Sequence, residues 1–152
     1  MLKNIINPRS NLKRLMSYYI NKNQDYFKII KKSEKGNLIN IGFTHEAFKE
    51  ININYMNFDY KPGTIINQGE SIGLLESTKA SIEIESLFNG SIKELNTELS
   101  NIVEENPYLE YDDYINDLKS KDKLGIILYS IESNDSIEQI IKDKDFKLVK
   151  DD

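Results

Sequence analysis

Gly73-Leu74-Leu75-Glu76-Ser77-Thr78-Lys79-Ala80-Ser81-Ile82-Glu83 is the stretch on which the fold turns. Before the lysine, Ile72 and Leu74 alternate with Gly73 and Leu75; after it, Ile82 and Ile84 alternate with Glu83 and Glu85. Period-two patterning on both sides of a short polar break predicts a β-hairpin with Lys79 at or near its exposed tip. Gly69 lies ten residues before the lysine and Gly90 eleven after it. A tip lysine on a symmetric hairpin suits covalent attachment of a cofactor, because an enzyme must reach and acylate the amine. The plainer reading is a solubilising surface lysine, since charged side chains are mostly exposed. The flanking sequence decides between them.

At 152 residues the chain is long enough for one domain. Its hydrophobic content is 39%, below the usual range of about 45–50%. Cysteine is absent, which excludes disulfides, thiolate catalysis and cysteine-ligated metals. The single histidine, His45, argues against a multi-histidine metal site or a nucleophilic triad. No apolar run approaches the roughly 20 residues that a membrane-spanning helix needs.

Charge is distributed unevenly. Residues 1–24 hold Lys3, Arg9, Lys13, Arg14 and Lys22 and no acid. Removing those five cations takes the remainder from −5 to −10. So acidic a body does not suit nonspecific nucleic-acid binding, which depends on neutralising phosphates. It does suit docking onto basic protein surfaces. Within the basic stretch, Leu12, Leu15, Met16, Tyr19 and Ile20 fall on one helical face. A basic, acid-free, amphipathic N-terminus reads as a mitochondrial-type transit segment over residues 1–24. One domain is then expected over 25–152.

A first strand is expected around Tyr26, Ile29 and Ile30, and a second at Ile39, Ile41 and Phe43. Thr44 is placed to cap a short helix over 45–51. The alternation Ile51, Ile53, Tyr55 then slips to Met56 and Phe58, which predicts a β-bulge. Lys61-Pro62-Gly63-Thr64 fits a type II turn. Asn67-Gln68-Gly69-Glu70 is a further turn. Asn89-Gly90 predicts a hairpin turn closing the central hairpin, with a strand over 92–95 after it. A short helix is expected within 97–107, ending before Pro107. Residues 108–123 are charged, tyrosine-rich and weakly periodic, and are expected to form a loop or lid-like insertion. A buried strand over 124–131 follows, and Ser136 and Gln139 predict a capping box opening a helix that finishes the chain. Many short strands separated by turns give a mainly β sandwich or barrel with a few short helices.

Glu76-Ser77-Thr78-Lys79-Ala80 resembles the lipoyl-attachment motif Glu-Ser-x-Lys-Ala of the glycine cleavage system H proteins. Ile41-Gly42-Phe43-Thr44 followed by Ala47 resembles the family's strand-to-helix entry. Pro62-Gly63-Thr64 is similar to its turn before the hairpin, and Ser86-Leu87-Phe88-Asn89-Gly90 to its closing turn. Glu105-Asn106-Pro107 with Leu109 is similar to its Glu-Asn-Pro-x-Leu segment, and Gly125 to the glycine of its Gly-Trp-Leu strand. The resemblance covers about residues 25–148. Departures are Asp25-Tyr26-Phe27 where the family has His-Glu-Trp, Ile126 in place of a tryptophan, His45 where aspartate is common, and unmatched spacing around 110–123. His45 is expected to be an exposed residue of the first helical turn.

The resemblance implies a barrel-sandwich hybrid of the lipoyl/biotinyl kind, with short helices and a C-terminal helix. It implies lipoic acid in amide linkage to Lys79, and a carrier with no active site of its own. Glu76, Ser77, Thr78 and Ala80, with Gly73 and Gly90, are the implied recognition residues, and Glu83 and Glu85 are docking candidates. Implied partners are glycine decarboxylase, an aminomethyltransferase, dihydrolipoamide dehydrogenase and a lipoate ligase or lipoyltransferase, in the mitochondrial matrix. No nucleic acid, membrane or metal is implied. Two other readings are a lipoate relay protein or lipoyl domain serving 2-oxoacid dehydrogenases, and a plain β-rich interaction protein without cofactor.

Overall fold

The computed structural model describes residues 17–149. Among the described residues, ten strands build two antiparallel sheets that share one core. They are β1 (Tyr18–Ile20), β2 (Asp25–Ser33), β3 (Gly36–Thr44), β4 (Ile53–Phe58), β5 (Ile65–Ile66), β6 (Ser71–Ser77), β7 (Ser81–Glu85), β8 (Gly90–Leu95), β9 (Gly125–Ser133) and β10 (Lys147–Val149). The large sheet has the order β10-β1-β2-β3-β9-β8-β5, and the small sheet β4-β6-β7. Among the described residues, four short helices interrupt them: α1 (His45–Lys49), α2 (Thr97–Glu105), α3 (Tyr111–Tyr114) and α4 (Ile137–Asp143). The mainly β sandwich with short helices is therefore as expected.

Local signals place most elements. The Thr44 side chain accepts the Ala47 amide and starts α1, and Ser136 does the same for α4 through the Gln139 amide. Asn96 caps α2, which ends at Glu105 ahead of Pro107. At Lys61–Thr64 the Thr64 amide donates to the Lys61 carbonyl, with Gly63 at φ +93°, as a type II turn requires. The expected bulge in β4 is present but falls earlier than the slip from Tyr55 to Met56 suggests, with the β4–β6 register shifting between Ile53 and Tyr55.

Four expectations are corrected. Tyr18–Ile20 is a strand, not the end of a helix; it pairs with both β2 and β10. Tyr18 and Tyr19 are buried, so the sheet begins ahead of the boundary expected at residue 25. The rest of the predicted helical face, Leu12, Leu15 and Met16, lies outside the described residues. Second, Asn89-Gly90 closes no hairpin. β7 belongs to the small sheet and β8 to the large one, so Ser86–Asn89 is a crossing between sheets. Gly90 is required because a Cβ there would stand 2.2 Å from the Glu132 carbonyl oxygen. Third, residues 108–123 are not a bare loop: they contain α3, and Leu109, Tyr114 and Leu118 are buried. Fourth, the described chain ends in β10 rather than in a helix. Phe146 precedes that strand and meets Phe27 edge-on at 4.9 Å between ring centroids.

The small sheet sets up the site. β6 and β7 form one hairpin, pairing Glu76 with Ser81 and Leu75 with Ile82. Leu75 and Ile84 turn into the core, whereas Glu83 and Glu85 face solvent. Outward acids and inward aliphatics on one strand hold the register, because a one-residue slip would bury the carboxylates.

Candidate functional site

The turn joining β6 to β7 is Ser77-Thr78-Lys79-Ala80. The Ser77 amide donates to the Ala80 carbonyl at 2.8 Å. The Ser77 hydroxyl oxygen accepts the amides of Lys79 (3.3 Å) and Ala80 (3.1 Å). Thr78, Lys79 and Ala80 are all exposed. No described residue pairs with the Lys79 ammonium, which stands at the outer end of the hairpin, free to solvent. The structure therefore brings Glu76, Ser77, Thr78, Lys79 and Ala80 together. Gly73 and Gly90 are set apart from them: a Cβ at Gly73 would lie 2.5 Å from the Asn57 carbonyl oxygen, so close strand packing accounts for both glycines.

Alongside β7 runs a cleft of about 580 Å³ between the hairpin, α1 and the large sheet. Phe43, Ala47 and Ile82 give it apolar walls, and Asp25, Glu85 and Lys22 line its polar side. Ile82, which lines the cleft, is three residues beyond Lys79 and so at most roughly 10 Å from it. A lipoyl-lysine side chain extends about 14 Å at ordinary bond lengths, so such an arm on Lys79 would be long enough to reach the cleft. The free amine at the tip and the half-apolar cleft within its reach fit the group that the sequence resemblance implies.

Electrostatics in the cleft are acidic. Burial raises the Asp25 carboxyl above the usual aspartate range; a hydrogen bond from Asn21 pulls it back, and the charge of Glu85 raises it again. Tyr129 forms part of the lining, with its hydroxyl accepting the Leu87 amide at 3.1 Å and donating to the Glu85 carbonyl. That hydroxyl fixes the end of β7 where the chain leaves for the large sheet. Sequence reasoning missed Asp25 and Tyr129 as site residues, since neither hydrogen-bond partner is visible in a strand pattern.

His45 is not the exposed first-turn residue that the sequence suggests: it is half-buried. Its Nε2 lies 2.9 Å from the Asp122 carbonyl oxygen, and its Nδ1 lies 2.7 Å from the Tyr111 hydroxyl. The segment 108–123 is tied down elsewhere too. Glu98 accepts the amides of Lys119 and Ser120, and Leu109 bridges to Ile53. Burial pushes the half-buried Glu98 carboxyl up, but the backbone amides of Lys119 and Ser120 and the Lys119 charge outweigh it and hold the group below its ordinary value. The region that departs most from the family pattern is thus an ordered strap beside α1, which supplies Ala47 to the cleft. Among the described residues, no group of three or more His, Asp or Glu is placed to hold a metal.

A family model described as "Glycine cleavage H-protein" matches residues 17–144. The chain is 39% identical over 83 residues to the "Glycine cleavage system H protein, mitochondrial" of Saccharomyces cerevisiae, a stretch covering 53% of this chain and 46% of that protein. The match thus spans about half the length of that curated relative. A glycine cleavage system H protein from Mycobacterium marinum has a similar fold, with a TM-score of 0.51 at 17% identity, covering 83% of this chain and 94% of that one. With the match running from β1 to the end of α4, the chain belongs to the glycine cleavage H-protein family.

Proposed function

We propose that the protein is a lipoyl carrier of the glycine cleavage system, with Lys79 as the attachment residue. One observation carries this reading: in an H-protein family member, the lysine of Glu-Ser-x-Lys-Ala stands unpaired at the tip of an ordered hairpin turn. The chain contributes no reacting group of its own in this role. It presents the Lys79 amine, and amide formation there removes the charge. When bound, lipoate supplies a strained cyclic disulfide that opens readily to take up a group and electrons.

What the chain's residues do around that group follows from their placement. The β6–β7 hairpin holds the attachment point away from the body, where a tether raises the local concentration of cargo at each enzyme it visits. Phe43, Ala47 and Ile82 offer apolar cover against water along the cleft. Asp25 and Glu85 make its polar side anionic, which favours a cationic cargo. The cycle we propose carries an aminomethyl group from glycine decarboxylase to an aminomethyltransferase, and electrons to dihydrolipoamide dehydrogenase. Attachment is by a lipoate ligase or lipoyltransferase, with Glu76, Ser77, Thr78 and Ala80 as the recognition surface. Gly73 and Gly90 serve that surface only through the sheet they keep packed.

A mitochondrial matrix location is part of the proposal. It is supported by the acid-free N-terminus with Lys3, Arg9, Lys13 and Arg14 and by the mitochondrial name of the yeast relative. The start of β1 at Tyr18 supports a transit segment that ends before that strand rather than at residue 24.

Intact mass after incubation with lipoate, ATP and a lipoate ligase tests the attachment. A single lipoyl increment that vanishes in Lys79→Arg is expected; an increment that survives the substitution, or none in the parent chain, refutes it. Glycine–bicarbonate exchange with glycine decarboxylase then tests the cycle. A lipoylated chain that supports no exchange would instead favour the relay or 2-oxoacid dehydrogenase role.

A further inference from the structure

Two-residue hairpin loops favour turns with positive φ, because that backbone twist matches the twist of the flanking strands. The Ser77–Ala80 turn lacks this device. Its central residues are Thr78 and Lys79, neither glycine nor asparagine, and both keep negative φ. Left to the backbone alone, such a loop lets the strands splay. The Ser77 side chain supplies a further closure. Its oxygen lies within hydrogen-bond reach of two successive amides, those of Lys79 and Ala80, and its hydroxyl is 3.3 Å from the Ala80 carbonyl. Serine and threonine hydroxyls make such local turns by capturing backbone amides just ahead of them.

The consequence falls on Lys79. Its own amide is one of the two captured groups, so the orientation of its Cα–Cβ bond is fixed by Ser77 rather than by strand pairing. The nearest strand pair is Glu76 with Ser81, outside the turn. Thr78 carries no comparable bond, and Glu76 reaches the turn only through a 3.5 Å contact with the Ser81 hydroxyl.

We infer that Ser77 is the positioning residue for modification of Lys79: it locks the turn so that the backbone carrying the lysine side chain is held in one geometry for the acylating enzyme. This rests on the carrier reading above. In the step concerned, the Lys79 amine attacks the carboxyl carbon of an acyl-adenylate. An amide bond forms, the acyl–phosphate bond breaks, AMP leaves and the nitrogen gives up a proton. Ser77 takes no part in those bond changes. It acts through the geometry of its neighbour, so its loss should weaken productive encounter more than the chemical step.

The test compares the full chain with Ser77→Ala and Ser77→Thr. Each is incubated with lipoate, ATP and a lipoate ligase, and acylation is followed by intact mass. Backbone amide exchange at Lys79 and Ala80 and the thermal melting temperature are measured in parallel. For Ser77→Ala we expect faster exchange at those two amides and an unchanged melt, since the turn is exposed. The KM for the protein substrate should rise about three- to tenfold at similar kcat, the scale of one or two lost hydrogen bonds. Threonine should restore both the protection and the KM. Wild-type acylation kinetics in Ser77→Ala, or a fall in kcat alone, would overturn the inference. If the parent chain is not acylated at all, the carrier reading fails, and unchanged exchange at Lys79 and Ala80 in Ser77→Ala would separately remove the anchoring role.

Discussion

The imidazole of His45 is wedged between Tyr111 and Asp122, with Nδ1 2.7 Å from the Tyr111 hydroxyl and Nε2 donating to the Asp122 carbonyl at 2.9 Å. A carbonyl oxygen can only accept, so Nε2 carries a hydrogen toward Asp122, whereas the Tyr111 hydroxyl can either donate to Nδ1 or accept from it. The Nε2–H tautomer with Nδ1 accepting is one arrangement that satisfies both neighbours. The pair spans 66 and 77 residues of sequence and closes the strap over α1.

Replacing His45 tests that clasp. His45→Ala should release the strap without unfolding the sheets, because Tyr114 and Leu118 still anchor it from below. We expect a stability loss of about 1–2 kcal/mol, the worth of two hydrogen bonds. Amide exchange should quicken over residues 110–123 and little elsewhere. Uniform acceleration across β2, β3 and β9 would mean that the clasp is part of the global fold instead. Nitrogen chemical shifts of the parent imidazole should report Nε2–H, and the opposite tautomer would contradict the geometry.

Gly90 and Gly63 make a paired prediction. A Cβ at Gly63 meets nothing within 4 Å, but its φ of +93° strains any L side chain. Gly63→Ala should therefore cost about 1 kcal/mol. At Gly90 the backbone is ordinary and space is the problem, with the Glu132 carbonyl carbon 3.0 Å away as well as its oxygen at 2.2 Å. Strand β8 must separate from β9 to admit the methyl group. Gly90→Ala should cost several times more than Gly63→Ala, as read from urea unfolding midpoints. Equal losses would show that β8 yields more easily than its packing suggests.

What was legible in the sequence was local. The Thr44 and Ser136 caps, the Pro62-Gly63 turn and the Lys79 hairpin are each written within a few consecutive residues, and each formed where expected. What was not legible depended on distant partners. Tyr18–Ile20 becomes a strand because Lys147–Val149 and Tyr26–Lys28 flank it; its own pattern suits a helix equally well. Asn89-Gly90 misled because a glycine demanded by close sheet approach looks the same as one demanded by a turn. The strap hid because Leu109, Tyr114 and Leu118, its buried residues, follow no single period. At the site, the proposed attachment lysine and its neighbours were readable, whereas the cleft was not. Asp25 and Tyr129 become site residues only once two sheets meet.

Phe27 sits at the centre of the aromatic part of the core. It stacks on Tyr19 at 4.9 Å and meets Phe88 and Phe146 edge-on at 5.3 and 4.9 Å. Those rings come from β1, the crossing between sheets and the approach to β10. Phe27→Ala should cost about 3–5 kcal/mol through lost burial and the cavity left behind. Phe27→Leu should recover most of that but not the edge-on contacts, worth about 0.5–1.5 kcal/mol each. Because β1 and β10 pack through this ring, their amides should lose protection first in Phe27→Leu. Retained protection there, with loss at Lys79 instead, would show that the two ends of the sandwich are coupled more tightly than the packing indicates.

Asp25 gives the cleft a pH dependence whose sign can be worked out. Burial raises its folded-state value above the ordinary aspartate value of about 3.9. The folded protein therefore holds this proton more tightly than the unfolded chain does. Stability from this group is greatest below the unfolded value and declines as pH rises through the folded one. Above that window the buried carboxylate, facing Glu85, is a standing cost. Asp25→Asn removes the titration but keeps an oxygen to accept the Asn21 amide, and it offers Glu85 a donor in place of a second charge. The variant should thus be more stable than the parent at pH 7 and gain little at pH 3.5. Its urea midpoint should therefore fall more than the parent's on going from pH 7 to pH 3.5, because only the parent regains stability by protonating this group. The cleft would lose anionic character, so weaker association of a small alkylammonium ion, followed by chemical-shift change at Asn21 and Glu85, is expected alongside the added stability. A variant less stable at pH 7 than the parent would show that the Asn21 bond outweighs burial, and that Asp25 is held in the cleft as a favourable anion.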